Sequence, residues 1–418
     1  MKFDKWTVGL ATAGVVSLGS VAMADESPLN TLVSGTTLSG YVDTSAIYKP
    51  GVQNAAYRFV NTAPNTYNGF NLNVAALTIE KALEEGQWSA GYKAALWFGP
   101  QAAGLPGALG GDNFGVQEAY VALRAPIGNG LDFKVGQINA IIGYEVLDSY
   151  ANPNFSRSLG FNIEPFSHTG MTATYQLTDW LGVVGGVADS TFNGTNVKES
   201  YDGQNNNGNI TSNGNAGNGT LTYMGAVTLK APEGSLGVLS GSALYAGIVD
   251  NGLSGAPNTI NYYVGASIPT PIKEVTVGAA FDYLSDGMGD GTWATAVAGY
   301  ISWQVTEKLK ANARVEFAKS DYNAWAIGPT LGEPTLGPSY TGDFLYTGST
   351  RLLSTTATLD YQLWKNVITR LEVVWDHDLN GSDIFSSEYT VATESEDYTI
   401  TNGRNNSVLI AANIIYKF

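Results

Sequence analysis

Apolar and polar residues alternate with a period of two along most of the chain beyond residue 35. The clearest run is at the C-terminus. One face of this run holds Val408, Ile410, Ala412, Ile414, Tyr416 and Phe418, and the other holds Ser407, Leu409, Ala411, Asn413, Ile415 and Lys417. Because successive side chains of a strand point to opposite faces, the pattern predicts a strand with one apolar and one mixed face.

Four internal segments repeat the pattern, and their charged residues keep to the face opposite the apolar one. The apolar faces are Trp88/Ala90/Tyr92/Ala94/Leu96/Phe98, Val275/Val277/Ala279/Phe281/Tyr283, Leu309/Ala311/Ala313/Val315/Phe317 and Val367/Thr369/Leu371/Val373/Trp375. This segregation is expected where one face meets lipid and the other lines water.

The same alternation predicts sixteen strands, each about as long as a tilted strand must be to cross a bilayer. They are 36–48, 70–82, 87–99, 114–125, 130–142, 168–177, 180–190, 219–230, 236–249, 258–268, 273–284, 292–305, 308–318, 351–363, 366–376 and 407–418. Beyond residue 24 no run approaches the roughly 18 apolar residues of a membrane helix. A membrane-spanning form of this chain must therefore be a closed barrel.

The lengths of the connections add a second signal. After the second strand every other connection is short, namely 83–86, 126–129, 178–179, 231–235, 269–272, 306–307 and 364–365. The others are mostly long, notably 49–69, 143–167, 191–218, 319–350 and 377–406. This asymmetry predicts an all-β, transmembrane antiparallel up-and-down β-barrel with short periplasmic turns and long extracellular loops.

The composition excludes several other classes of protein. Only 14% of the 418 residues are charged, Gly is abundant at 50, and aromatic residues reach 11%. This mixture is not that of a disordered chain or a cytosolic α/β enzyme. The net charge of −16 argues against a nucleic-acid partner, and the absence of Cys excludes disulfides and thiolate metal sites.

The first 24 residues are predicted to be a secretory signal peptide. Lys2 and Lys5 precede a small and apolar stretch, and Ala22-Met23-Ala24 forms a cleavage site of the A-x-A type. The domains expected are a signal peptide at 1–24 and an outer-membrane barrel at 25–418. The alternative, an N-terminal membrane anchor, is disfavoured by the short, Gly- and Ala-rich stretch.

Aromatic residues near the predicted strand ends fit the membrane interfaces, where amphipathic rings are favoured. They are Trp88, Trp180, Trp293, Trp364, Tyr283 and Tyr416. Terminal Phe418 resembles the signal that the barrel-assembly machinery reads. The partners expected are that machinery, outer-membrane lipid and lipopolysaccharide.

Three segments carry a resemblance to a known family. Asp132–Met171 (DFKVGQINAIIGYEVLDSYANPNFSRSLGFNIEPFSHTGM) has a GYE…N…SRS…F…P…HTG pattern, and Ser39–Tyr48 (SGYVDTSAIY) and Val116–Leu123 (VQEAYVAL) accompany it. These segments resemble the OmpL-like β-barrel porins of bacterial outer membranes. The resemblance implies an outer-membrane barrel with passive transport and supplies no catalytic residues.

The predicted chemistry lies in the lumen. Connection 143–167 occupies the place at which many general porins fold a loop inward, and it supplies the constriction-loop candidates Glu145, Asp148, Arg157 and Glu164. By parity the pore-lining candidates are Lys93, Arg124, Lys134, Glu118, Asp282, Arg314, Glu316, Asp360, Arg370 and Glu372. Opposed charges there would filter solutes by size and charge; the alternative is that they only hydrate the wall or pair across strands.

Enzymatic and metal sites are not expected. The two histidines, His168 and His377, lack a nucleophile arrangement, and neighbouring residues of Asp376-His377-Asp378 point to opposite faces of a strand. No cofactor is predicted.

The favoured function is passive diffusion of small hydrophilic solutes or ions. A plugged barrel acting as adhesin or scaffold and a secreted soluble β-sandwich are the alternatives. The preferred solute charge and a homotrimeric state stay open. If Arg314 faces the lumen, as the alternation predicts, Arg314→Ala leaves folding intact and changes ion selectivity.

Overall fold

The computed structural model describes residues 35–50, 68–84, 86, 88–105, 113–189, 221–232, 234, 237–250, 259–285, 293–321, 349–381, 384–392 and 397–418. The predicted signal peptide at 1–24 and its cleavage site lie outside the described residues. None of the helical segments among the described residues is long and apolar enough to cross a membrane.

Sixteen strands form the main sheet. The first eight are β1 (Thr36–Tyr48), β2 (Gly69–Lys81), β3 (Ala90–Phe98), β4 (Phe114–Ala125), β5 (Leu131–Asn139), β6 (Ser167–Thr178), β7 (Leu181–Ala188) and β8 (Thr222–Lys230). The other eight are β9 (Ala243–Asp250), β10 (Ile260–Pro269), β11 (Val275–Ser285), β12 (Trp293–Gln304), β13 (Leu309–Ser320), β14 (Thr350–Trp364), β15 (Val367–Asp378) and β18 (Asn406–Lys417).

The main sheet is a closed antiparallel barrel. Each strand pairs with its neighbours in the chain, and β18 pairs with both β15 and β1. Closure leaves no open sheet edge, which is the condition for a sheet to cross lipid. The predicted fold class and the predicted sixteen barrel strands are confirmed.

Several predicted strands are shorter in the structure, among them 87–99, 180–190 and 219–230, and two further cases have a visible cause. The strand predicted at 236–249 begins at Ala243, because Gly237 and Gly241 have φ angles of 57° and 78° and form turns. The strand predicted at 130–142 ends at Asn139. Ile141 and Ile142 are both buried, so the alternation of faces has stopped before Gly143, whose φ is 117°.

A second, two-stranded sheet lies in the connection between β15 and β18. It consists of β16 (Phe385–Ala392) and β17 (Asp397–Arg404), which pair with each other. The sequence predicts only a long loop at 377–406, and the structure adds this hairpin to it.

Two of the short turns are closed by the same device. The hydroxyl of Thr178 accepts hydrogen bonds from the backbone N–H groups of Trp180 and Leu181, at 3.3 and 3.0 Å. The hydroxyl of Thr306 does the same for Lys308 and Leu309, at 3.3 and 3.0 Å. A threonine at this place favours a tight turn because its side chain satisfies backbone donors locally.

The two faces of the strands differ as predicted. On β18, Leu409, Ala411 and Ile415 are buried, whereas Ile414 and Tyr416 are about half exposed, at 52% and 49%. The outward side chains are thus the apolar set that a lipid-facing surface requires.

Three apolar clusters lie in the described part of the barrel interior. Each of them joins side chains of the 140–166 connection to the wall. The first packs Leu147 and Phe155 against β1, β2, β3, β15 and β18. The second packs Leu159 and Ile163 against β11–β14, and the third packs Ile142 against β7–β12. Burial of these side chains places the 140–166 connection inside the barrel.

Candidate functional site

The connection between β5 and β6, residues 140–166, is here called the inner loop. Arg314 on β13 holds its middle. The guanidinium is fully buried and donates to Glu145 Oε1 at 2.7 Å and to Glu316 Oε2 at 2.8 Å. It also donates to the backbone carbonyls of Ser156 and Arg157, at 2.9 and 3.1 Å. Two acids and two carbonyls therefore surround one buried cation.

Glu372 on β15 forms a second attachment. Its carboxylate accepts hydrogen bonds from the backbone N–H groups of Phe155 and Ser156, at 2.7 and 2.9 Å. Thr358 of β14 donates to the same carboxylate at 2.7 Å and accepts from the Asn154 amide at 2.7 Å. Charge-assisted hydrogen bonds of this kind are the stronger ones, so the loop backbone is tied to two adjacent strands.

Further wall residues complete the attachment on this side. Arg370 pairs with Asp360 at 2.9 Å and donates to the carbonyls of Ser149 and Asn152, at 2.9 and 3.1 Å. Glu316 also accepts from the N–H of Leu159 at 2.5 Å. The inner loop is thereby fixed to the wall formed by β13, β14 and β15.

Arg157 stabilises the inner loop internally. Its guanidinium is buried and donates to the carbonyls of Val146, Leu147 and Phe155, at 2.7, 2.5 and 2.9 Å. Asn152 adds two hydrogen bonds to the backbone of Val146, at 2.8 and 2.7 Å. Arg157, which the sequence predicts as a charge of the constriction, therefore holds two parts of the loop together.

Glu164 and Asp282 form a buried pair of carboxyl groups at the end of the inner loop. They are close enough to share a hydrogen bond, which requires that one of them carries a proton. Burial raises the pKa of Glu164 well above its ordinary value, and the Asp282 carboxylate raises that pKa further. Glu145 adds a third negative charge nearby.

This pair predicts a loss of stability with rising pH. The folded protein binds the Glu164 proton more tightly than the unfolded chain does. The free energy of unfolding therefore falls as the pH rises from the unfolded pKa of Glu164, about 4.3, to its higher pKa in the folded protein. A tenfold difference in proton affinity between the two states is worth about 1.4 kcal/mol. We expect Glu164→Gln to reduce the difference between the unfolding free energies at pH 5 and pH 8.

Glu307 in an exposed turn supplies the control for that experiment. Glu307→Gln should leave the pH dependence of urea unfolding unchanged. If Glu164→Gln also leaves it unchanged, the carboxyl pair is not the source of the pH dependence.

A second part of the wall, formed by β3, β4 and β5, carries charges that keep some exposure. Lys93 Nζ lies 2.5 Å from Glu118 Oε2, with the Lys93 side chain 20% exposed. Arg124 pairs with Asp132 at 2.6 Å, with both side chains partly exposed. Lys134 Nζ lies 4.5 Å above the ring of Tyr120, within range of a cation–π contact.

One part of the inner loop faces this charged wall. Burial raises the pKa of Asp148, and the ammonium group of Lys93 opposes that change. Next to it, the Tyr150 ring lies 4.2 Å below Lys417 Nζ and packs edge-on against Tyr41 at 4.9 Å. Asp148 therefore interacts with Lys93 of this wall, and Tyr150 presents its ring to Lys417 on β18.

The comparisons with known proteins decide the family. The family model described as "Putative beta-barrel porin-2, OmpL-like" matches residues 35–418. The chain belongs to this family. This OmpL-like porin is a protein of the bacterial outer membrane. No curated protein matches its sequence.

Solved structures show the same fold at low sequence identity. OprB of Pseudomonas putida has a TM-score of 0.57 and 10% identity, covering 93% of this chain and 96% of its own. The channel DcaP of Acinetobacter baumannii has a TM-score of 0.54 and 13% identity, covering 92% and 97%. An anion-selective porin of Comamonas acidovorans has a TM-score of 0.52 and 12% identity, covering 92% and 99%.

All ten wall candidates of the OmpL-like porin point into the barrel, but the inner loop divides them. Those that contact the loop are buried: Asp282, Arg314, Glu316, Arg370 and Glu372. Glu118 is also buried, but its hydrogen bonds are to Lys93 and Asn139 of the wall. Those that keep partial exposure are Lys93, Arg124, Lys134 and Asp360. Of the four loop candidates, Glu145, Arg157 and Glu164 are buried and Asp148 is partly exposed.

The residues predicted for the site omit several inward-facing groups of the porin, and Lys417 and Asp43 are two of them. Lys417 contacts Tyr150, and its parity on the C-terminal strand already placed it on the mixed face. Asp43 on β1 is fully buried and accepts hydrogen bonds from the amides of Asn73 and Asn413, at 2.9 and 3.2 Å. Its partners lie 30 and 370 residues away in the chain. Parity predicts that Asp43 faces inward, but it does not predict these partners.

Proposed function

We propose that this porin is a passive channel whose narrowest part lies between the inner loop and the wall of β3–β5. The observation that carries the proposal is the unequal distribution of buried charge. On the side of β13–β15, ion pairs and hydrogen bonds bind the loop to the wall. On the side of β3–β5, Lys93, Arg124 and Asp132 keep partial exposure.

Asp148 interacts electrostatically with cations on two strands, β3 and β18. Lys93 and Lys417 both interact electrostatically with its carboxylate. Opposed charges fixed on two sides of a narrow path act on a permeating solute through its size, charge and dipole. We infer that small hydrophilic solutes and ions pass here and that the charge of Lys93 contributes to their selection.

The selectivity test uses Lys93→Gln. A unit charge about 6 Å from a permeating ion is worth about 0.7 kcal/mol in water. Its removal favours cations and disfavours anions by that amount each, about 1.4 kcal/mol in all, so we expect the ratio of cation to anion permeability, measured by reversal potential in planar bilayers, to rise by about tenfold.

Two variants serve as controls for that measurement. Lys93→Arg keeps the charge and should keep the permeability ratio. Lys81, which is opposite Tyr92 on the outward face, can be changed to Gln without altering the lumen. An unchanged ratio for Lys93→Gln would show that ions do not pass this wall.

A plugged barrel acting as adhesin or scaffold is the second candidate. It is favoured by the burial of 154–168, in which every residue is buried. Single-channel recording separates the two: discrete conductance steps support the channel, and their absence at every voltage supports the plug. Neither candidate function involves catalysis.

We also propose a route by which the chain reaches the membrane. Met1–Ala24 would be removed on export, leaving 25–418 as the barrel, and the barrel-assembly machinery would read Phe418. The outward apolar face would contact outer-membrane lipid and lipopolysaccharide. Assembly as a homotrimer is also proposed, and native mass spectrometry in detergent tests it.

A further inference from the structure

Basic side chains on the outward face of the barrel need an explanation, because charge facing lipid is costly. In the described barrel strands they are Lys81 at the periplasmic end of β2, and Lys319, Arg351 and His377 at the extracellular ends of β13, β14 and β15. The last three lie on adjacent strands. They are called here the rim cluster.

The register brings two of these cations together. Lys319 is directly opposite Arg351, while His377 is opposite Leu353, two residues further along β14. Like charges directly opposite each other destabilise a sheet. The outward faces of β13, β14 and β15 carry no acidic residue in their described length. The pair therefore lacks a counter-charge on its own strands.

Asp321 directly follows β13, two residues after Lys319 and therefore on the same side of the strand. Its Oδ1 accepts a hydrogen bond from the backbone N–H of Trp293 at 2.7 Å. This acid is thus engaged at the start of β12, and at most it offsets one of the two positive charges.

The rim cluster lies at the level where lipid headgroups begin. Arg351 is ten residues from Tyr361 on β14, a distance of about 33 Å along a strand or about 25 Å along the normal of a barrel with the usual tilt of about 40°. That height equals the apolar band of outer-membrane barrels. Below the cations, Phe317 is 42% exposed and extends the lipid-facing surface.

Aromatic rings frame the rim cluster. Lys319 Nζ lies 5.0 Å above the ring of Trp293. On the other side Trp375 stacks on His377, with centroids 5.5 Å apart. The indole of Trp375 donates to Asn406 Oδ1 at 3.1 Å, and His377 Nδ1 is 3.0 Å from the same oxygen. Because the indole N–H can only donate, that oxygen accepts, and His377 Nδ1 carries a proton.

We propose that the rim cluster binds the phosphate group of a phosphorylated lipid in the outer leaflet. A guanidinium matches a phosphate with two parallel hydrogen bonds, and an ammonium adds a compact charge beside it. The phosphate would supply the counter-charge that the described outward faces of β13, β14 and β15 do not offer to Lys319 and Arg351. Because Phe317 and Leu353 lie directly below them on the lipid-facing surface, the ligand is a lipid and not a soluble anion.

The experiment uses the full-length porin, folded in detergent, and diphosphoryl lipid A as the probe. Native mass spectrometry measures the bound fraction against lipid concentration. Each basic residue near an anionic headgroup is worth about a factor of five in affinity, so Lys319→Gln with Arg351→Gln should weaken binding by about 30-fold. Lys81→Gln is the matched control, because it removes an outward charge from the other end of the barrel.

The outcomes are distinct. Weaker binding in the double variant with normal binding in Lys81→Gln supports the site. The proposal is overturned if the double variant binds like the wild type, if lipid A without phosphates binds equally well, or if inorganic phosphate at the same concentration displaces the lipid. Should the double variant fail to fold, Lys319→Gln alone is measured against the expected fivefold loss. Channel conductance, recorded on the same samples, tests the proposed function separately.

Discussion

Replacing Arg314 by Ala should lower the free energy of unfolding by about 3–5 kcal/mol, the usual cost of removing one partner of a buried ion pair. The side chain is fully buried, and Glu145 and Glu316 both depend on it for charge compensation. The same change removes hydrogen bonds to the carbonyls of Ser156 and Arg157. Urea unfolding in detergent, followed by tryptophan fluorescence, measures the loss.

The variant should also conduct differently. The inner loop would lose its central attachment to β13, so we expect larger and noisier single-channel currents. Lys310, which also faces inward on β13 and is only partly buried, provides the control. Lys310→Ala should keep the stability and the noise of the wild type. If Arg314→Ala matches Lys310→Ala in both measurements, Arg314 does not hold the loop.

The large loss expected for Arg314→Ala differs from what parity alone indicates. From the sequence, Arg314→Ala would leave folding intact, because an inward residue of a barrel normally meets water. The structure covers Arg314 with the inner loop and leaves Lys93, which has the same inward orientation, 20% exposed. Alternation tells which side of the sheet a residue lies on. It carries no information about which part of the wall a loop will cover.

The strands were predictable for a physical reason. A barrel in lipid must alternate apolar and polar faces through its whole circumference, so the signal is repeated in every strand. The predicted strand at 114–125 agrees with β4 residue for residue, and 36–48 agrees with β1. Prediction was poorer at 140–142, where Ile141 and Ile142 continue an apolar run but belong to the inner loop.

The attachment points of the inner loop could not be derived from the sequence because its contacts are non-local. Glu145 meets Arg314 across 169 residues, and the backbone of Phe155 meets Glu372 across 217. Arg157 instead binds carbonyls of its own loop. A charged residue in a connection can pair with a distant wall residue or bind carbonyls of its own loop. The sequence does not distinguish these two cases, because they depend on the path of the backbone.

Ala313→Arg tests the opposite face at the neighbouring position. Ala313 points outward, is opposite Ile301 and Ala357, and lies six residues from Lys319. At a rise of about 3.3 Å per residue and a tilt of about 40°, that is about 15 Å below the rim cluster, close to the middle of the apolar band. An arginine there should cost roughly 2–4 kcal/mol and impair insertion into lipid vesicles.

Ala313→Leu adds bulk without charge and should fold normally. Unfolding free energies that are equal for the two variants would mean that this side chain does not face lipid, and the phase of β13 would have to be reversed.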